Sequence, residues 1–223
     1  MHTAIRIVSL RVTFAALALC FAGLANAASI TYYLNQSNTE SIWPDGNDYL
    51  SVTIFDSISN PGDIEFLVTP LAQLTISAGP NFGIQSFCFN STQSLTAANI
   101  AGAPVGWSTG SGNCDGFGAY EVTENGDGTN RQNPLNFRIT GILGDVLSDY
   151  VVDGPGGVQG TYAFAAHVAG ITDQDDGFGN IYNSAWFGGD SGGGTPVVPV
   201  PAAVWLLGSA FGLLGAMRRK VAV

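Results

Sequence analysis

The feature that most constrains the fold is a series of short runs in which apolar and polar residues alternate. In residues 50–54, Leu50, Val52 and Ile54 alternate with two hydroxyl residues. Successive side chains of a β-strand point to opposite faces of a sheet, so this pattern predicts a half-buried strand. The same reasoning predicts strands over residues 30–34, 64–68, 74–76, 87–89, 120–122, 137–139, 161–169 and 184–187.

Turn-forming residues separate these runs. Stretches rich in Gly, Pro, Asn and Asp lie at residues 60–62, 79–81, 125–128, 153–157 and 176–177, and helix signals are nearly absent. Glycine adopts backbone conformations that other residues avoid, and proline interrupts regular structure. About eight to ten short strands with such spacing predict an all-β fold, an antiparallel β-sandwich of jelly-roll-like form over residues 28–190.

The amino-terminal segment has the three parts of a secretory signal. Arg6 and Arg11 supply positive charge, residues 12–24 are almost entirely apolar, and Ala25 and Ala27 offer small side chains to a signal peptidase. This order predicts a signal peptide over residues 1–27 with cleavage after Ala27. The alternative is a buried amino-terminal helix. If the signal is removed, Cys20 leaves with it.

The carboxy-terminal segment has the composition of a membrane anchor. A Gly-rich stretch over residues 191–197 predicts a linker, and residues 201–217 are apolar and uncharged. As a helix, these 17 residues reach about 25 Å, close to the ~30 Å hydrocarbon core of a bilayer. The basic residues that follow predict a cytoplasmic end, with the sandwich outside: Arg218, Arg219 and Lys220.

A short motif precedes that apolar stretch: Val198, Pro199, Val200, Pro201 and Ala202. The prolines oppose helix, so the motif stays extended where an enzyme can bind it as a strand. Residues 198–223 resemble the PEP-CTERM class of sorting signals, and specifically the variant that reads Val-Pro-Leu-Pro-Ala. The resemblance implies recognition by an exosortase, a membrane-embedded cysteine transpeptidase, and release or attachment at the cell surface or in the extracellular matrix. The alternative is a plain tail anchor.

The charge of the predicted sandwich is strongly one-sided. All 17 acidic residues of the chain lie between Glu40 and Asp190, where only Arg131 and Arg138 are basic, so this part carries a formal charge of −15. Such a surface repels nucleic acid and anionic membranes. The composition therefore predicts no nucleic-acid partner.

Two cysteines remain after signal cleavage. In an exported chain, an even number of cysteines indicates disulfide pairing, so Cys88 and Cys114 are predicted to form one bridge. Two free thiols are the alternative.

His167 is the one histidine left after signal cleavage. A catalytic histidine needs a nucleophile and an orienting acid, and no motif supplies them, which favours a structural role. On the predicted strand it shares a face with Ala163 and Ala165, and the opposite face carries Tyr162, Phe164, Ala166 and Val168.

An acidic cluster is the candidate cation site. Asp173, Asp175 and Asp176 precede Gly177, and alternating acids before a glycine can supply several calcium ligands. Ordinary acidic turns explain the same residues. No other cofactor is predicted.

Aromatic residues offer a candidate sugar-binding face, and core packing is the alternative: Trp43, Trp107, Trp186, Tyr32, Tyr33 and Tyr182. Residues 81–87, 115–118 and 164–170 also loosely resemble the ectodomains that precede tails of this class, which implies a sandwich and matrix association. The leading hypothesis is an exported, non-enzymatic surface or matrix protein processed by an exosortase. A carbohydrate-binding module of the exopolysaccharide matrix is the alternative, and a secreted hydrolase ranks third.

Overall fold

The computed structural model describes residues 27–190 and 192–193, and residues 28–190 and 192–193 lie within one compact unit. The predicted signal peptide (except Ala27), the sorting motif at 198–202 and the basic cluster at 218–220 lie outside the described residues. Among the described residues, no helix has the length and apolar character needed to cross a membrane.

Within the described residues, eleven strands form two sheets, in which every neighbouring pair is antiparallel. Sheet A has the order β1-β3-β4-β9-β6, and sheet B has the order β2-β11-β10-β5-β8-β7. The strands are β1 (Ser29–Leu34), β2 (Gln36–Ser37), β3 (Leu50–Asp56), β4 (Ile64–Pro70), β5 (Ala78–Phe89), β6 (Ile100–Ala101), β7 (Ser108–Cys114), β8 (Gly118–Asn125), β9 (Leu135–Ile139), β10 (Phe164–Asp175) and β11 (Ile181–Gly189).

Helical structure is confined to three short pieces of the described chain. These are the α-helix α1 (Ala72–Thr75) and two 3-10 turns, Ala97–Asn99 and Leu147–Tyr150. The predicted all-β sandwich with antiparallel sheets is therefore confirmed.

The main core lies between the two sheets and is rich in phenylalanine. Phe66 of β4 stacks on Phe137 of β9, with ring centroids 4.9 Å apart. Across the interface it meets Phe89 of β5 at 4.9 Å, and Phe87 at 6.2 Å. Aromatic pairs of this kind contribute about 0.5–1.5 kcal/mol each beyond their burial, so this cluster joins the two sheets.

The alternation in β3 is confirmed, because Leu50, Val52 and Ile54 are buried in the main core and their hydroxyl neighbours are not. It is confirmed in β4 as well, where buried and half-buried residues alternate along Ile64–Pro70. The predicted strand over residues 74–76 is wrong. Leu74 is buried in α1, whereas Ile76 is 85 % exposed. Residues two apart in a helix lie about 200° apart around its axis, so Leu74 and Ile76 face opposite sides and only Leu74 enters the core. A run of three residues is too short to fix the period of the pattern.

The predicted strand over residues 161–169 begins later than expected. β10 starts at Phe164, and Phe164, Ala166 and Val168 share one face as predicted, which packs in the main core. Tyr162 and Ala163 precede the strand and break the expected alternation. Ala163 packs in the main core, and Tyr162 packs against a second cluster.

That second cluster covers the outer face of sheet B. It contains Cys88, Cys114, Phe117, Tyr120 and Ala165, with Trp186 packed beside it. Ala165 alternates with core residues along β10, so this strand is buried on both faces.

The Cys88–Cys114 disulfide is confirmed, and it joins β5 to the end of β7 across 26 residues of chain. A closed loop of this length contributes about 3.5 kcal/mol by the chain-entropy relation. The bridge fixes the turn between β7 and β8, and Phe117 of this turn lies over Gly188 of β11.

Gly188 allows that contact because it has no side chain. A Cβ atom at this position would lie 2.3 Å from the Phe117 ring, which is fully buried and has no room to move. We expect Gly188→Ala to lower the free energy of unfolding by about 1–3 kcal/mol, as overpacking does. Thermal unfolding should show a decrease of about 4–8 °C in Tm for a loss near 2 kcal/mol.

Gly112 of β7 provides the matched control, because a Cβ atom there would have no neighbour within 4 Å. Gly112→Ala should leave Tm within about 2 °C of the unsubstituted chain. Equal shifts for the two substitutions would contradict the proposed packing of Phe117 on Gly188.

Candidate functional site

A cleft of about 420 Å³ opens where β5, β10 and β11 approach the loop that follows β8. Its walls combine charged, polar and apolar groups, and are formed by Pro80, Arg131, Gly170, Ile171, Thr172, Asp173 and Asn183. This is a volume typical of small-molecule sites, which span about 300–1,000 Å³.

Irregularities in β10 create the cleft. The register of β10 shifts against β11 between Ala169 and Gln174, and against β5 between Ala169 and Ile171. Gly170 has a positive φ of 73°, and a Cβ atom there would lie 2.5 Å from the carbonyl oxygen of Asn81. Bulges bend a strand and redirect its side chains, and they are common beside functional sites.

Arg131 is held at the cleft by neutral partners. Its Nε donates to Oε1 of Gln85 at 3.0 Å, and its Nη1 donates to the backbone oxygen of Asn81 at 3.1 Å. Asn81 has a φ of 56° and in turn donates from its side-chain amide to the backbone oxygen of Gly128. The loop after β8 is therefore fastened to β5 through both residues.

His167 of β10 and Trp186 of β11 belong to two of the strands that border the cleft, and the charge of Arg131 acts on His167. His167 and Trp186 face each other in the strand register, and their rings stack with centroids 5.1 Å apart and an interplanar angle of 20°. Burial lowers the pKa of His167, the charge of Arg131 lowers it further, and the Asp115 carboxylate acts in the opposite direction. The imidazole is thus a neutral aromatic surface at physiological pH.

The predicted acidic cluster is divided between two places. Asp173 lines the cleft, whereas Asp175 accepts a hydrogen bond from the backbone N–H of Gly177 at 2.8 Å. Asp176 accepts from the backbone N–H of Phe178 at 2.8 Å and from the side-chain amide of Asn180 at 2.7 Å. These bonds lower the pKa of Asp176, and the Asn180 amide contributes most.

Across residues 27–190 and 192–193, no three Asp, Glu, His or Cys side chains come together in a way that could hold a metal ion. Asp175 and Asp176 instead stabilise the turn between β10 and β11. The acidic-turn interpretation describes what the structure shows at these two residues.

The aromatic residues predicted as a sugar-binding face are dispersed. Trp43 packs in the main core against Phe187 at 5.8 Å, and Nε1 of Trp107 donates to the backbone oxygen of Asn130 at 2.8 Å. Tyr182 also packs against the main core.

Tyr32 and Tyr33 lie on β1 beneath the start of the Gly-rich linker. A Cβ atom at Gly193 would overlap the Tyr32 ring, and one at Gly192 would lie 2.7 Å from the Tyr33 ring. The six residues do not form one shared face. Core packing describes Trp43, Trp107, Tyr32 and Tyr182, and Trp186 packs against the second cluster.

Glu124 is a buried carboxyl group that lies apart from the cleft. It is opposite Phe87 in the register of β5 and β8, so its side chain points to the same face as that ring, and it is 1 % exposed. Oε1 accepts a hydrogen bond from Oγ1 of Thr109 at 2.7 Å, and Oε2 has no partner among the described residues. Burial raises the pKa of Glu124 to about 7, against the effect of the Thr109 hydrogen bond.

Comparison with protein-family models, with curated proteins and with solved structures finds no match to this chain.

Sequence reasoning did not identify the Arg131 cleft. The available signal was the scarcity of basic residues, since Arg131 is one of two in a segment with 17 acids. What was missing was the pairing of each arginine, which depends on residues far apart in the chain. Arg138 pairs with an acid, since its Nε lies 2.9 Å from Oδ2 of Asp63. Arg131 instead donates to a side-chain amide oxygen and a backbone carbonyl oxygen.

Glu124 makes stability depend on pH with a defined sign. Its pKa of about 7 in the folded chain exceeds the ordinary value of 4.5, so the folded state binds more protons between these pH values. The stabilising contribution is complete below pH 4.5 and is lost as pH rises past 7, by about 3 kcal/mol in total.

We expect Glu124→Gln to remove this loss. Between pH 5 and pH 8, urea unfolding should show a decrease in the free energy of unfolding that is about 3 kcal/mol smaller for the variant than for the unsubstituted chain. Glu121→Gln, on an exposed part of the same strand, serves as the control and should follow the unsubstituted chain. Identical pH slopes for both variants would show that Glu124 is not the group responsible.

Proposed function

We propose that this chain is an exported, non-enzymatic protein of the cell surface or extracellular matrix, whose tail is recognised and processed by an exosortase. The observation that carries the proposal is the Cys88–Cys114 disulfide, which holds the outer face of sheet B closed. Such bonds persist in oxidising compartments and are rare in the cytosol. Export by the predicted signal peptide over residues 1–27 places the domain in such a compartment.

The tail supplies the second part of the proposal. The Val198–Pro199–Val200–Pro201–Ala202 motif, the apolar stretch and the basic end together have the order of a sorting signal. In the proposed sequence of events, the chain is first held in the membrane by its carboxy-terminal helix. Exosortase then cleaves near the motif, and the domain moves to the surface or the matrix.

A non-enzymatic domain agrees with the environments of its titratable groups. His167 is stacked on Trp186, and Glu124 is closed off from solvent beneath sheet B. General acid–base catalysis needs a group within hydrogen-bonding reach of a substrate. The chain path, which passes repeatedly between the two sheets, also supports the jelly-roll-like form that we propose for the sandwich.

The cleft favours a second candidate function, a carbohydrate-binding module that acts in an exopolysaccharide matrix. Thr172, Asp173 and Asn183 present exposed hydrogen-bonding groups there. Polar groups that converge in a concave site are the usual means of orienting a small ligand.

The delivery proposal is tested by the mass of the mature chain. In cells with exosortase, we expect a product shortened near residue 198. In an otherwise identical strain without exosortase, the membrane fraction should retain the longer form. Pro201→Ala should also retain it, because the motif no longer resists helix formation at that position, while Thr195→Ala in the linker should be processed normally.

Intact-mass spectrometry of membrane and medium fractions provides the measurement. The same mass in both strains would contradict the proposed processing and would favour a plain tail anchor.

A further inference from the structure

We propose that the cleft binds a carboxylate-bearing saccharide and that Arg131 receives the carboxylate. This inference deepens the carbohydrate-binding candidate and rests on it. It identifies the chemical class of the ligand and the residue that selects it.

The first argument is the charge that Arg131 retains. The described domain has far more acids than bases, and Arg138 is neutralised by Asp63 at 2.9 Å. Arg131 forms no salt bridge to any described acid, and its hydrogen bonds go to the neutral Gln85 side chain and Asn81 carbonyl. Neutral acceptors fix a guanidinium group without cancelling its charge.

The second argument is the geometry of the guanidinium group. Arginine has five N–H donors in a planar fork, and a carboxylate can accept two of them in parallel. Nε and Nη1 are each held by one acceptor within the domain, which sets the plane of the group. An arginine oriented in this way before binding loses less side-chain entropy when a ligand arrives.

The other polar residues of the cleft indicate what accompanies the carboxylate. Thr172, Asp173 and Asn183 are exposed in the same cleft and can exchange hydrogen bonds with hydroxyl groups. The Asp173 carboxylate disfavours a ligand with two negative charges in a small volume, such as a phosphate ester. A singly charged acid with neighbouring hydroxyls has the chemistry of a uronic acid. Such a ligand can pair with Arg131 and form hydrogen bonds with the other polar residues of the cleft.

The third argument is that close backbone packing holds the cleft in shape. A Cβ atom at Gly83 would lie 2.7 Å from the backbone oxygen of Gln132, and one at Gly170 would lie 2.5 Å from that of Asn81. These contacts bring β5, β10 and the loop that bears Arg131 together without side chains between them. The position of Arg131 relative to Asp173 is therefore set before any ligand binds.

The charge of the domain gives this binding an unusual salt dependence. A domain of formal charge −15 repels an acidic oligosaccharide at long range, whereas Arg131 attracts its carboxylate at contact. Salt screens this long-range repulsion first, because the Debye length falls from about 14 Å at 50 mM to about 4 Å at 500 mM. Affinity should therefore hold or increase over this range, whereas binding by general charge attraction would weaken.

Isothermal titration calorimetry of the full chain in a mild detergent tests the inference. The probes are a trisaccharide of galacturonic acid and the neutral trisaccharide of galactose. We expect the acidic trisaccharide to bind at least about tenfold more tightly than the neutral one, as one charge-assisted bidentate contact implies.

Arg131→Gln should reduce affinity for the acidic trisaccharide by at least about tenfold and leave the neutral one unchanged. Arg138→Gln makes the same charge change at the arginine paired with Asp63, and should alter neither affinity by more than about twofold. If Arg131→Gln does not fold, Arg131→Lys replaces it, with a loss in the same direction because lysine lacks the planar fork.

Each of the other outcomes overturns one part of the proposal. Equal binding of the acidic and neutral trisaccharides overturns the role of the carboxylate but leaves carbohydrate binding standing. Equal losses for Arg131→Gln and Arg138→Gln overturn the site. Absence of binding to trisaccharides of galacturonate, glucuronate and mannuronate at about 5 mM overturns both this inference and the carbohydrate-binding candidate. The delivery proposal is unaffected by any of these results.

Discussion

The architecture depends on the covering of the outer face of sheet B by the turn between β7 and β8. β10 directs Phe164 and Ala166 into the main core and Ala165 into the opposite cluster, so both of its faces must be protected from water. The Cys88–Cys114 bridge and the Phe117 ring provide that protection on the outer side. Antiparallel sheets commonly leave one face in water, whereas part of the outer face of this sheet is buried under the second cluster.

The position of the cleft follows from that arrangement. The covered part of sheet B ends beyond His167 and Trp186, where β10 changes register and Gly170 brings it close to Asn81. Polar side chains of β10 and β11 line the cleft there, and Arg131 comes from the loop after β8. β5, which the disulfide joins to β7, also holds the loop-borne Arg131 through Gln85 and Asn81.

The sequence predicted the parts of the fold that depend on local pattern. Alternation identified β3 and β4, and an even cysteine count identified the disulfide. β7 was missed because Ser108–Cys114 contains no large apolar residue, and its pairing depends on β8. Residues 74–76 were misassigned because a run of three residues is too short to fix the period of the pattern. Arg131 was missed because its significance depends on which distant residues neutralise it. The predictions for the two ends of the chain stay predictions.

The central claim is that the disulfide-bonded turn protects one face of sheet B independently of the main core. Hydrogen exchange of the full chain with and without reductant, followed by mass spectrometry of peptides, tests it most directly. After reduction, we predict faster exchange in β7 (Ser108–Cys114) and β8 (Gly118–Asn125), with protection kept in β3 (Leu50–Asp56) and β4 (Ile64–Pro70), whose hydrogen bonds lie in sheet A. Unchanged exchange in β7 and β8, or an equal loss in all four strands, would contradict the account.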